Sequence, residues 1–272
     1  VGQMPPPGLL LLSQTKGAAC ALESMAFNEA SEVRNASYAY PGTSSTVLNG
    51  LDIKIPARTT VGLVGGTGAG KTTLIDVILG LMPLDGGELL VDGVPINIEN
   101  RRIWQDRIGY VPQQIFLTDN TVASNIAFGV PKENIDMEAV RRAAQLAHLD
   151  AFIESALPEK YDTIVGERGV RLSGGQRQRI GIARALYHDP DVLIFDEATS
   201  ALDTLTEDAI MEAVDSLGRT KTIIMIAHRL TTVDSCDQIF LLERGQIADA
   251  GTYAELIERN STFRSMARAE PS

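Results

Sequence analysis

The stretch Val61-Gly62-Leu63-Val64-Gly65-Gly66-Thr67-Gly68-Ala69-Gly70-Lys71-Thr72-Thr73 decides the fold of this chain. It matches the pattern G-x-x-x-x-G-K-[ST], with an apolar run before it and helical spacing of apolar residues after it. Glycine permits positive φ and close backbone approach, so successive N–H groups can surround a phosphate at a helix start. Lys71 would place its charge on the β- and γ-phosphates, and Thr72 would offer a hydroxyl to Mg²⁺. The predicted nucleotide phosphate cradle comprises Gly65, Gly66, Thr67, Gly68, Ala69, Gly70, Lys71, Thr72 and Thr73.

The segments on either side of this cradle predict both strands and a helix. Between about residues 31 and 64, short β-branched and apolar segments predict strands separated by turns at Pro41-Gly42 and Asn49-Gly50. The i, i+4 spacing of apolar residues after Lys71 predicts a helix to about Leu81. Two further apolar segments flank Asp92-Gly93, which is a strong hairpin signal.

Two compact apolar runs, Val192–Phe195 and Thr222–Ile226, lack the alternation of half-exposed strands. Such runs are typical of strands buried on both faces of a parallel sheet, and ligands bind at the carboxyl ends of these strands. Asp196 and Glu197 follow the first run, and His228 follows the second. An isolated Asp-Glu pair is usually the start of a loop. Beside a phosphate cradle it predicts one carboxylate for Mg²⁺ and one for the attacking water.

Composition restricts the class of protein. The chain has 272 residues, a formal net charge of −11 and only two cysteines, Cys20 and Cys236. This acidic balance argues against nucleic acid as a partner, because phosphate backbones are bound by clustered excess cations. No stretch reaches the ~20 consecutive apolar residues of a membrane-spanning helix. We expect a lead-in segment at residues 1–30 and one domain at residues 31–272.

The run Leu172-Ser173-Gly174-Gly175-Gln176 opens another predicted helix. Ser173 and Gln176 form an S-x-x-Q capping box, which by itself explains both residues structurally. Capping does not require the glycine pair, however, and a serine with two glycines at a helix start is also an anion site.

With this element the chain resembles the nucleotide-binding domain of ATP-binding cassette (ABC) transporters over about residues 31–268. The resemblance implies a head-to-tail dimer that encloses two ATP molecules. Each ATP would lie in the cradle of one copy and contact Ser173, Gly174, Gly175, Gln176 and Asp203 of the second copy.

Three further positions match the family. Tyr40 resembles the aromatic residue that stacks on adenine, although a tyrosine at a strand end needs no such role. Gln113, preferred over its neighbour Gln114 because it follows Val-Pro, resembles the glutamine that reaches Mg²⁺ and the attacking water. Glu167 resembles a loop residue of exporters that senses the membrane helices; the alternative is an ordinary solvated turn.

The sequence therefore predicts an α/β P-loop NTPase with a central, mostly parallel sheet, an N-terminal antiparallel β-subdomain and an inserted helical subdomain at about residues 115–185. The expected reaction is ATP hydrolysis with ATP and Mg²⁺ bound. The predicted catalytic residues are Glu197, His228, Gln113 and Lys71. The predicted metal ligands are Thr72, Gln113 and Asp196.

The expected partners are a second nucleotide-binding domain and a transmembrane domain, which the ATPase would serve from the cytoplasmic side of the membrane. Two other ABC functions remain open: the ATPase subunit of an importer, and a non-transport ATPase acting on nucleic acid or the ribosome. The net charge and Glu167 argue against the second. A plain binding module is the weakest alternative, because Glu197 and His228 are both present.

Overall fold

The computed structural model describes residues 27–43, 45–166, 169–196, 217, 220–227 and 229–269. The described chain forms a six-stranded sheet, a four-stranded sheet, a two-stranded pair and a set of α-helices. The strands are β1 (Ala30–Ala39), β2 (Thr46–Pro56), β3 (Thr60–Val64), β4 (Gly86–Val91), β5 (Val94–Pro95), β6 (Ile108–Val111), β7 (Asn120–Thr121), β8 (Ile164–Val165), β9 (Val192–Asp196), β10 (Thr222–Ile226), β11 (Gln238–Glu243) and β12 (Gln246–Gly251). The α-helices are α1 (Lys71–Ile78), α2 (Arg101–Gln105), α3 (Val122–Ile126), α4 (Met137–Leu146), α5 (Asp150–Ala156), α6 (Gly174–Leu186), α7 (Tyr253–Arg259) and α8 (Ser261–Ala269).

The six-stranded sheet has the order β12-β11-β3-β10-β9-β6. Pairing is parallel from β11 to β6, and β12 is antiparallel to β11 at one edge. Strands β3, β9 and β10 are buried almost throughout, as expected for apolar runs covered on both faces. This confirms the predicted central sheet. It also brings the carboxyl ends of β3, β10, β9 and β6 to one edge.

The four-stranded sheet has the order β2-β1-β4-β5, with every pair antiparallel. Asp92 and Gly93 both have positive φ, 48° and 77°, so they form the predicted hairpin turn between β4 and β5. The turn predicted at Asn49-Gly50 is wrong. These residues lie inside β2, whose register against β1 shifts between Leu48 and Leu51. Gly50 has a φ of 62°, and here that freedom produces a bulge, not a turn.

Helix α1 packs on one face of the six-stranded sheet through buried residues such as Leu74. It ends at Ile78 and not near Leu81, because Gly80 adopts a φ of 65° that does not continue a helix. Trp104 of α2 donates its indole N–H to the carbonyl of Ile78 at 2.7 Å, which satisfies a carbonyl of the last turn.

Helices α3 to α6 pack on the opposite face of the sheet, with α6 against α3, α4 and β6. The packing around α6 is close: a Cβ on Gly181 would lie 2.3 Å from Ile115 Cδ1. None of the described helices is long and apolar enough to cross a lipid bilayer. The boundaries proposed for the lead-in segment and the helical subdomain stay predictions.

Candidate functional site

The glycine-rich turn joins the end of β3 to the start of α1. Gly65 has a φ of 154°, and a Cβ there would lie 2.3 Å from the carbonyl oxygen of Leu242. Gly70 caps α1 with a φ of 105° and no side-chain hydrogen bond. The first N–H groups of an α-helix have no partner within the helix, so those of α1 point into the turn. A helix start of this kind attracts an anion.

Lys71 is buried, and its ammonium lies within the turn. Its Nζ donates to the carbonyl oxygens of Gly65, at 2.7 Å, and Gly66, at 3.3 Å. These bonds hold the positive charge beside the N–H groups of the helix start. The turn therefore concentrates hydrogen-bond donors and one cation around the space between β3 and α1, as the sequence pattern predicts.

Tyr40 stands beside the cradle. Its hydroxyl shares a 3.0 Å hydrogen bond with Oγ1 of Thr73, a buried residue of α1. Its ring meets Tyr38 edge-on, with centroids 5.2 Å apart, and is 38% exposed. An exposed aromatic ring fixed at its hydroxyl offers a flat surface for a planar ligand.

Asp196 and Thr72 reach the same edge of the sheet from β9 and from the start of α1. Thr72 and Asp76 are four residues apart on α1 and so share one face of that helix. Burial raises the pKa of the Asp76 carboxyl, and the negative charge of Asp196 raises it further. Asp76 and Asp196 are therefore close enough to interact electrostatically. A carboxylate and a hydroxyl are hard oxygen ligands, which fit Mg²⁺.

Sequence reasoning missed Tyr110, on the edge strand β6. Its hydroxyl donates to Oδ2 of Asp196 at 2.8 Å. Burial raises the pKa of the Tyr110 phenol, and the hydrogen bond to Asp196 raises it further. The two residues are far apart in sequence and meet only because β6 pairs with β9. No local pattern identifies this contact.

The start of α6 carries the predicted capping box. Oγ of Ser173 accepts from the N–H of Gln176 at 3.2 Å, and Oε1 of Gln176 accepts from the N–H of Ser173 at 2.8 Å. The N–H groups of Gly174 and Gly175 also lie in this first turn, where a helix supplies no partner for them. Ser173 and Gly174 are exposed. The capping box thus fixes the helix start and presents it to the surroundings.

Gln113 follows the end of β6, which places it at the same sheet edge as Asp196. The loop after it is held by Arg184 of α6, which sequence reasoning also missed. The Arg184 guanidinium donates to the carbonyls of Asn125, at 2.9 Å, and Phe116, at 3.1 Å, and stacks over the Phe128 ring at 4.5 Å. The loop after Gln113 is therefore tied to α6.

Asn125 completes this connection. Its fully buried side-chain amide accepts from the N–H of Thr118 at 2.9 Å and donates to the Thr118 carbonyl at 3.0 Å. Together with Arg184 it joins the loop to helices α3 and α6.

A groove of about 360 Å³ lies between this loop and the start of α6. Phe116 and Val170 expose 70% and 37% of their surface beside it, and Arg171 and Arg177 also line it. Exposed apolar residues around a concave surface indicate an interaction site.

Four predicted site residues lie outside the described residues: Glu167, Glu197, Asp203 and His228. Their roles stay predictions. Glu197 directly follows the last residue of β9, and His228 follows β10, so the sheet does bring together the strands that precede them.

Comparisons with known proteins show which family the chain resembles in sequence and fold. The family model described as "ABC transporter" matches residues 48–200. The chain is 41% identical over 237 residues to the ATP-dependent lipid A-core flippase of Haemophilus influenzae strain 86-028NP, covering 86% of this chain and 40% of that protein. It is 42% identical over 232 residues to the protein of the same name in Escherichia coli K12, covering 85% and 40%.

A bacterial Atm1-family ABC exporter solved with ATP bound superimposes with a TM-score of 0.81 at 36% identity. The match covers 91% of this chain and 43% of that chain. The chain thus spans about two fifths of the length of the curated relatives it matches. Fold, cradle and family match agree: the chain belongs to the ABC transporter family, as one of its ATP-binding ATPase domains.

Proposed function

We propose that this chain is the motor domain of an exporter or flippase: it binds ATP between two copies, hydrolyses it, and drives a transmembrane domain from the cytoplasmic side of a membrane. The proposal rests on one observation: the chain has two helix starts that can each bind phosphate, and their surroundings differ. One, at α1, lies in a glycine-rich turn with a buried lysine; the other, at α6, is capped and exposed. Each offers N–H donors to phosphate.

ATP binding follows from the donors of the first site. The N–H groups of residues 65–73 surround the phosphates, with the Lys71 ammonium on the β- and γ-phosphates. Lys71 then exchanges its bonds to the Gly65 and Gly66 carbonyls for bonds to phosphate oxygens. Tyr40 stacks on the adenine ring, and its hydrogen bond to Thr73 holds the ring beside the cradle.

Hydrolysis requires a water aligned with the γ-phosphate. Glu197 orients this water and accepts its proton, Gln113 holds it from the loop after β6, and His228 donates a hydrogen bond to the γ-phosphate. Thr72, Gln113 and Asp196 would hold Mg²⁺, which neutralises charge on the phosphate oxygens when it is bound.

Dimerisation explains the exposed start of α6. Because Oγ of Ser173 uses a lone pair to accept from Gln176, its hydroxyl hydrogen stays available as a donor. That hydrogen and the N–H groups of Gly174 and Gly175 would bind the γ-phosphate of ATP in the second copy, with Gln176 and Asp203 beside them. Loss of the γ-phosphate removes these contacts and reopens the pair, which is a switch between two states biased by the ligand.

The groove beside Phe116 is the surface that we assign to the transmembrane domain. It combines exposed apolar residues with the loop after Gln113, so a helix seated there would respond to the nucleotide site. Glu167 would lie in the loop that senses this helix. The names of the relatives favour lipid export or flipping over import, and a lipid is the substrate class that we propose.

The Glu197→Gln variant tests the motor function. The amide keeps the shape of the side chain but cannot accept a proton, so we expect ATP binding to persist, turnover to stop, and a dimer to accumulate with ATP. Binding affinity, phosphate release and solution mass with and without ATP report these three results.

Glu133→Gln, at an exposed position of a short 3₁₀ turn, is the control and should behave as the parent chain. Normal phosphate release by Glu197→Gln would contradict the role of Glu197. A solution mass that ATP does not change would contradict the dimer.

A further inference from the structure

Tyr110 and Asp196 form a contact that the proposed reaction does not by itself require. Tyr110 lies on the edge strand β6, in register with Ile194 of β9, and Asp196 lies two residues beyond Ile194 on the same face. The Tyr110 side chain therefore leans along the strand, and its hydroxyl donates to Oδ2 of Asp196 at 2.8 Å. The phenol thus spans the two strands at the sheet edge where the phosphates would lie.

The orientation of a carboxylate depends on such a partner. The last torsion of an aspartate side chain is broad, so packing of its Cβ alone does not fix the plane of the two oxygens. A hydrogen bond to one oxygen fixes that plane. Groups that orient a metal ligand in this way are worth 10–100-fold in metal affinity.

We propose that Tyr110 is a positioning residue for Mg²⁺: it holds Oδ2 of Asp196 and so directs Oδ1 to the metal or to a water bound to it. This inference rests on the proposed function, because it takes Asp196 as a ligand of Mg²⁺. Tyr110 itself touches neither metal nor nucleotide. Its contribution is the fixed plane of one carboxylate.

A second explanation is that the hydrogen bond only joins the edge strand to its neighbour. The chain contains a matched contact that separates the two explanations. Tyr161, in a short 3₁₀ turn after α5, donates its hydroxyl to Oδ1 of Asp150, the first residue of α5, at 2.6 Å. Tyr161→Phe removes the same kind of bond without touching Asp196.

The experiment compares Tyr110→Phe, Tyr161→Phe and the parent chain, each saturated with a fluorescent ATP analogue. Free Mg²⁺ is titrated, and the fluorescence change gives the concentration at half-saturation. The affinity of Mg²⁺ for the free analogue is common to all three chains and cancels in the comparison. Affinity for the analogue in EDTA and the melting temperature of the apo chain are measured in parallel.

We expect the half-saturating Mg²⁺ concentration to rise about 10-fold or more for Tyr110→Phe. Affinity in EDTA should stay within about 2-fold of the parent chain, because the cradle itself is unchanged. Tyr161→Phe should leave both quantities unchanged. If Tyr110→Phe folds poorly, Tyr110→Leu serves as the second variant; it also lacks the hydroxyl and should show the same shift.

An unchanged Mg²⁺ titration for the folded Tyr110→Phe chain would overturn the inference and leave the motor function intact. An equal loss of affinity for the ATP analogue in EDTA and in Mg²⁺ for Tyr110→Phe would also overturn the inference, because Tyr110 would then act on the fold or the cradle. If Mg²⁺ caused no fluorescence change in the parent chain, the metal site itself would be contradicted, and with it both proposals.

Discussion

Alanine substitutions in the glycine-rich turn should separate the two reasons for its glycines. At Gly66, φ is not in the left-handed region and a Cβ would meet nothing within 4 Å, so Gly66→Ala should be close to neutral. At Gly68, φ is 78° but a Cβ again meets nothing, so only the backbone is strained. That strain costs about 1–2 kcal/mol. At Gly65, a φ of 154° coincides with a Cβ placed 2.3 Å from the Leu242 carbonyl oxygen.

Gly65→Ala should therefore cost at least about 3 kcal/mol, as the sum of backbone strain and overpacking against an atom of the main chain that cannot rotate away. For a chain of this size each kcal/mol lowers the melting temperature by about 2–4 °C. We expect a fall of about 6–12 °C for Gly65→Ala, about 2–8 °C for Gly68→Ala and almost none for Gly66→Ala.

The assay is thermal unfolding of the apo chain, followed by ATP binding of each variant that remains folded. Equal melting temperatures for Gly65→Ala and Gly66→Ala would refute the close contact between the turn and β11. A large loss for Gly66→Ala would refute the assignment of open space around that glycine.

Two other perturbations test different parts of the molecule. Arg184→Lys keeps the positive charge, but a single ammonium cannot bond the Phe116 and Asn125 carbonyls at the same time. We expect the free energy of unfolding to fall by about 2 kcal/mol, measured by thermal unfolding, and phosphate release to slow. ATP affinity should stay unchanged, because these bonds of Arg184 go to the loop after Gln113 and to α3 and not to the cradle; lost affinity would contradict this separation. The hydrogen bond from Arg259, followed by that from Asn260, lowers the pKa of Asp249. A carboxyl with a lowered folded pKa stabilises the fold fully above its unfolded pKa of about 3.9, and this contribution is lost as pH falls through the folded pKa. Asp249→Asn should therefore be less stable than the parent chain near neutral pH and should lose less stability between about pH 4 and pH 2; parallel stability profiles for the two chains would contradict the ion pair.

The predictable part of the site is the part that local chemistry determines. The glycines, Lys71 and Thr72 are close in sequence, and their spacing alone specifies a turn with a helix start. The capping box at Ser173 is equally local and forms as predicted. The apolar run Val192–Phe195 predicts a doubly buried strand, and a strand that ends beside a phosphate cradle indicates the role of the next polar residue.

The errors and omissions have the opposite character. Asn49-Gly50 carries the same local signal whether it ends a strand or forms a bulge inside one, and only the pairing of β2 with β1 decides between them. The contact of Tyr110 with Asp196 depends on strand register. The bonds of Arg184 depend on how α6 packs against a loop far away in sequence. None of these can be derived from spacing along the chain.

Helix α6 connects these observations to the proposed motor. Its first residue follows Ser173, the proposed contact to the second ATP, and Arg184 in its last turn holds the loop after Gln113. At 1.5 Å per residue, the 13 residues of α6 span about 20 Å. A continuous α-helix of this length bends little. A displacement at its start therefore reaches the loop that lines the apolar groove. In the proposed dimer, Gln113 would lie beside the γ-phosphate bound by its own copy, and Ser173 beside the γ-phosphate bound by the second copy. Loss of either phosphate would therefore move the groove through α6.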